Sequence, residues 1–315
     1  MKTSFFQNKW RGIAVILVLA VAFIMMVPPV HAAEINNSGV VAAGEIVNDD
    51  LVLSSDTVRM DGTVNGLLMA FGENVVINGN VNGDLIVFGR AVTISDNAVI
   101  DGNIFTAAQN VTMNGRVTGS LLGTSATLVN GTTSSIERNL YYGGYSLTQT
   151  AGAKTGKDIR AGVYQAILLG DTGQDAVIYG GAVEVKGKIG RNAEFIVGDP
   201  TNTTEPVMPF LPGMGITTTL NPGLRIDPAA VIGGKLVYTS KVNQSNAIEA
   251  TPAGGIVFHT PVPEKNETNA PTATPQNRQA LDLLGGLFGF AGNLISLFLV
   301  GALLLWKFPG LLHQN

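Results

Sequence analysis

Cysteine is absent from this chain, which removes disulfide frameworks, thiolate nucleophiles and Cys-based metal sites from consideration. Charge is sparse: Asp, Glu, Lys and Arg make up 13% of the residues, against roughly 25% in an ordinary soluble domain. With a formal net charge of −4 and no Lys/Arg cluster, nothing is offered to a phosphate backbone, so no nucleic-acid partner is expected. Histidine is nearly missing: His31, His259 and His313 are the three in the chain, and His259, the one nearest the repeats described below, has no acid or base neighbour in sequence to form a catalytic pair. No P-loop occurs, and Gly213-Met214-Gly215 lacks the third Gly of a dinucleotide fingerprint. The acidic residues sit at corners of the repeat, without an evident facing pair of the kind polysaccharide hydrolysis needs. The expectation is therefore a protein that is not an enzyme, with no catalytic, cofactor-binding or metal-ligating residues and no cofactor.

What the chain does have is a repeat. VNDDLVLSSDTVRMDGT opens at Val47, VNGLLMAFGENVVINGN at Val64 and VNGDLIVFGRAVTISDN at Val81, a spacing of 17 residues. The next anchors are Ile100, Val117 and Ile136, at steps of 19, 17 and 19, with Lys157-Asp158-Ile159 one step further. A period of this length marks a solenoid, in which each unit buries its apolar side against its neighbours. Alternation places Val81, Leu85, Val87, Val92 and Ile94 inside, with Asn82 and Thr93 outside. Three short strands per unit would close a triangular coil, and stacked coils would pair as parallel strands over columns such as Val64, Val81, Ile100 and Val117. The fold class expected is an all-β parallel β-helix with about 17–19 residues per coil.

Asx-Gly pairs recur, as at Asp61-Gly62, Asn78-Gly79 and Asn82-Gly83. They suit corners, because Gly and Asn tolerate positive φ and an Asx side chain bonds the local backbone. A calcium role for such residues, Asp171 and Asp175 included, would need several oxygens converging on one point, and the tandem GGxGxD pattern is missing.

The chain divides accordingly. Lys2, Lys9 and Arg11 precede an apolar run over 13–27 and then small residues up to Ala33, the form of a secretory signal peptide over 1–32, with an uncleaved anchor as the alternative. A lead-in covers 33–46, the β-helix repeats 47–198, a Pro-rich insertion 199–228 and one or more terminal coils 229–259. A polar linker follows at 260–280. Residues 283–306 carry no charge and are long enough as a helix to cross a hydrocarbon core of ~30 Å. Lys307 follows at the start of a tail, 307–315, expected in the cytoplasm by the positive-inside tendency. The repeats are thus expected on the extracytoplasmic side of a cell membrane, with the membrane as one partner.

The runs VNGLLMAFGENVVINGN and VNGDLIVFGRAVTISDN resemble the coils of the bactofilins, the polymer-forming cytoskeletal proteins, over about 47–198 and again at 230–240. That resemblance implies a right-handed β-helix of three-sided coils that polymerises without a nucleotide. Bactofilins of the cytoskeleton are compact and cytosolic, so a signal sequence, an insertion and a membrane segment make this chain similar to an exported, membrane-anchored relative. Leu303-Leu304-Leu305-Trp306-Lys307-Phe308-Pro309 resembles the first of several C-terminal helices in such relatives, which implies that the family pattern continues past the end of this chain. The function expected is structural, a scaffold that self-associates through its solenoid. The alternative is an adhesin module that binds envelope polysaccharide on a row of exposed aromatics, for which Tyr141, Tyr142, Tyr145, Tyr164 and Tyr179 are the candidates.

Overall fold

The structure, a computed structural model, describes residues 34–201 and 220–261. These residues form an all-β parallel β-solenoid. Twelve strands follow one another along the main path of one sheet, and ten short strands build a second. The pairs are parallel throughout, in a ladder that advances one coil per step. Among the described residues there is no α-helix, and one 3-10 turn occupies Ser245–Ala247.

The coil from Val81 shows why these residues form these strands. In Leu85–Ile94 the inward positions Leu85, Val87, Val92 and Ile94 are buried, and Ile86, Phe88 and Thr93 face outward. The two-residue strand Asn80–Val81 turns Val81 into the same interior. Burial of one such aliphatic side chain is worth about 1.5–3 kcal/mol. Stacking makes columns: Val47, Val64, Val81, Ile100, Val117 and Ile136 lie one above another, all within one continuous apolar core.

Four expectations are corrected. First, the coil is not built of three separate short strands. Leu68–Ile77, Leu85–Ile94 and their successors are ten residues long, and each turns a corner without leaving the ladder. Gly72 pairs with Gly89 and Asn74 with Ala91, so only Glu73 and Arg90 step out. Second, the lead-in is itself a coil. Glu34–Asn36 pairs with Leu51–Ser54, Val40–Val41 with Thr57–Met60, and Ile46–Val47 with Thr63–Val64. Its turns run through Gly39 at φ 71° and Gly44 at φ 83°, a conformation Gly reaches without steric cost. Third, the insertion is shorter than 199–228. Gly223–Ile226 pairs with the second half of Ala176–Val185, because the five residues between Pro222 and Pro228 all keep their ladder N–H groups. Fourth, the step after Ile136 is Thr155, not the 157–159 segment: Ile136 pairs with Thr155, and Thr155 with Thr172. Ile159 belongs to another inward column, with Leu140 and Ala176. The terminal coils at 229–259 are present as Val231–Ile232, Leu236–Thr239 and Ile256–His259.

Candidate functional site: corners, faces and ends

The corner residues act on the backbone of the next coil. Asp84 Oδ1 accepts from the Asn103 N–H at 2.7 Å, and Asn103 Oδ1 accepts from Ser120 N–H at 3.0 Å. Asn139, Asp158, Asp175 and Asn192 carry the pattern onward to Lys235. Each side chain thus satisfies a corner amide that the sheets leave unpaired. The Asx-Gly glycines work by close approach, since none of Gly62, Gly79 and Gly83 is among those with positive φ. A Cβ on Gly79 would come within 1.9 Å of the Gly62 carbonyl oxygen. The Asp61 carboxyl is held below the usual carboxylate range by the Arg59 guanidinium and then by the Asn78 amide.

Asp171 and Asp175 do not converge on a common point. Asp171 starts the strand Asp171–Thr172, while Asp175 binds the Asn192 amide and the Arg191 guanidinium. Among the described residues no three His, Asp or Glu come together. His259 ends the strand Ile256–His259 on an exposed surface. His31 and His313 lie outside the described residues, as do the segments 1–32 and 283–306.

The tyrosines occupy three kinds of position. Tyr142 is buried in the core, and its hydroxyl donates to the Ser125 carbonyl at 2.9 Å. Burial pushes that hydroxyl well above the usual phenol range. Tyr145 and Tyr164 stack at 5.0 Å on the corner where Glu73 and Arg90 sit in earlier coils. Tyr141 and Tyr179 point outward from the first half of their strands. Desolvation, followed by the Glu194 carboxylate, raises the Tyr179 hydroxyl above its ordinary value. The five side chains therefore do not line up as one exposed row.

The two solenoid ends differ. At the N-terminal end, the strands Glu34–Asn36, Val40–Val41 and Ile46–Val47 pair on one side only among the described residues. Ile35, Val40 and Ile46 are 56%, 44% and 61% exposed there. At the C-terminal end residues 243–250, which the sequence does not mark, belong to the last coil, whose strand Ile256–His259 also pairs on one side only among the described residues and leaves Ile256 46% exposed. Ile248 bridges to Ile226, and buried Gln244 accepts from the Leu224 N–H at 2.7 Å while donating to the Gly198 carbonyl at 3.0 Å. The ring of Phe258 packs on Tyr238 at 5.1 Å.

Comparison with family models, curated proteins and solved structures finds no match for this chain.

Proposed function

We propose that this protein is a non-enzymatic scaffold of the cell envelope, a right-handed β-solenoid that joins other copies of itself through its N-terminal end. The observation that carries the reading is the open N-terminal edge. Its strands pair on one side only among the described residues and expose Ile35, Val40 and Ile46; at the other end Ile256–His259 is likewise an edge strand, but residues 243–250 tie that coil to the one before it through Gln244 and Ile248. An open edge of this kind templates further strand pairing. A right-handed sense follows from the general preference of parallel crossover connections. The bactofilin-like runs at Val64 and Val81 support polymerisation as the family behaviour to test. Export and anchoring rest on the segments 1–32 and 283–306 of the sequence, which place the solenoid outside the membrane on a stalk over 260–280. Envelope polysaccharide is a partner in this setting, and nucleic acid is not.

The test is the mass of the full chain in mild detergent, followed by sedimentation across a hundredfold range of concentration, about two decades as affinities of μM order require. Growth beyond the monomer with concentration is expected. A monomer throughout refutes the scaffold reading.

A further inference from the structure

The outward surfaces of the solenoid are not alike. The short strands present Thr63, Asn80, Val99, Arg116, Ser135, Lys154, Asp171 and Lys188. The second halves of the long strands present a mixed column, Val76, Thr93, Thr112, Val129, Thr148 and Ile167, beside small or polar groups such as Asn74, Ala91 and Asn110. The first halves present a column of a different kind. Ile35, Val52, Met69, Ile86, Phe105, Leu122 and Tyr141 are in register across seven successive coils, and Phe71 stacks on Phe88 at 5.7 Å beside them. Arg160 closes the column in the next coil. These side chains are outward yet apolar, on a flat ladder where alternation would ordinarily set polar residues.

We infer that this apolar strip is a lateral interface at which two copies of the chain pack face to face with antiparallel solenoid axes. The inference deepens the self-association proposed above by adding a second surface, and it leaves the end contact standing if it fails. The strip is centred on Ile86, with three rungs on either side. A twofold axis along the strand at Ile86 therefore superimposes the strip on itself: Met69 meets Phe105, Val52 meets Leu122 and Ile35 meets Tyr141, an isologous arrangement. The same operation carries Arg160 past the rungs to the other copy's N-terminal edge strand, which bears Glu34, so unlike charges meet. Seven rungs at ~4.8 Å extend about 29 Å, and one half-strand is about 13 Å wide, giving about 380 Å² per copy, of which the strip fills one outward column and Ser54, Phe71, Phe88, Ala107, Thr124 and Gly143 the other. Two copies contribute about 760 Å² before the polar rims are counted, and the rims bring the total toward the ~1,200 Å² of a modest specific interface. A lipid surface is the poorer occupant: none of the seven rungs is basic, and the adjacent corner carries Asp50, Asp84 and Asn103 rather than Lys or Arg.

Because the chain has no Cys, single thiols report the geometry. Facing sheets lie ~10 Å apart, too far for a disulfide, so a short bismaleimide is the bridge. In the full chain in detergent, Ile86→Cys is expected to cross-link to itself. Val52→Cys mixed with Leu122→Cys should cross-link while neither does alone, and Thr93→Cys on the neighbouring face should stay uncoupled. Adding Phe105→Asp should lower the Ile86→Cys yield about tenfold, as for a central interface aromatic, without moving the melting temperature. Adding Val40→Asp, which acts at the solenoid end, should leave the yield unchanged. An uncoupled Ile86→Cys, or equal coupling at Thr93→Cys, overturns the lateral interface. Loss of coupling with Val40→Asp assigns the contact to the ends and overturns it equally.

Discussion

The single residue is the scale at which the inward and outward registers separate. Val81 is fully buried and stacks between Val64 and Ile100, so Val81→Asp sets a carboxylate among aliphatic neighbours without a partner. The expected loss exceeds about 3 kcal/mol. Thr93→Asp lies on the outer side of the same coil and should change thermal unfolding little. Equal losses for the two would show the register to be wrong. The same column also holds a polar anomaly. Thr155 and Thr172 are buried where Val and Ile stand in other coils, Thr155 accepts from the Gln149 amide at 3.4 Å, and among the described residues no partner reaches the Thr172 hydroxyl. Thr172→Val keeps the shape and removes the unpaired group, so stability should rise by about 1 kcal/mol. A loss of that size in chemical denaturation would mean that the hydroxyl is bonded. The sequence reading lost the column at this point because Thr is β-branched like Val and equally at home on a strand's outer face. Residue type alone does not say that Thr155 points inward.

Elements were legible where they repeat and obscure where they end. Leu85–Ile94 announces itself by alternation, and its neighbours at the same period reinforce it. The first coil does not. Its inward residues are few, its turns use Gly39 and Gly44, and its exposed Ile35 and Ile46 have no preceding coil to pair with among the described residues. The return at Gly223–Ile226 was hidden by the prolines on both sides. Residues 243–250 were least legible of all, since a polar run gives no sign that Gln244 is buried. That glutamine is the main polar tie between this segment and the last coils, through Leu224, Gly198 and Ser240. Gln244→Ala should cost about 1–3 kcal/mol by stranding the Leu224 N–H. Hydrogen exchange should then show Leu224 losing protection ahead of Leu85, and unaltered protection at Leu224 would contradict the role assigned to Gln244. The corner set was partly legible: Asx-Gly pairs marked corners, but their glycines work by close backbone approach rather than positive φ, and amide capping falls to Asp and Asn outside those pairs, such as Asp84 and Asn103.

For the whole molecule, the described solenoid has one continuous apolar core, and the proposed scaffold role rests on its surfaces and ends. The topology proposed from the sequence makes a direct forecast. Protease added to intact, envelope-stripped cells should cut within 260–280 and release the folded repeats, while a tag after Asn315 should be protected. Labelling of that tag from outside would invert the orientation. The central claim is that the open N-terminal edge joins copies of this chain. Its most direct test is electron microscopy of the purified full chain beside Val40→Asp, a substitution on an exposed edge residue that should leave folding intact. The account predicts rods of the wild type longer than one solenoid, whose twelve strands at ~4.8 Å span about 53 Å, and single solenoids for Val40→Asp. Single solenoids in both preparations, or rods of equal length in both, would contradict it.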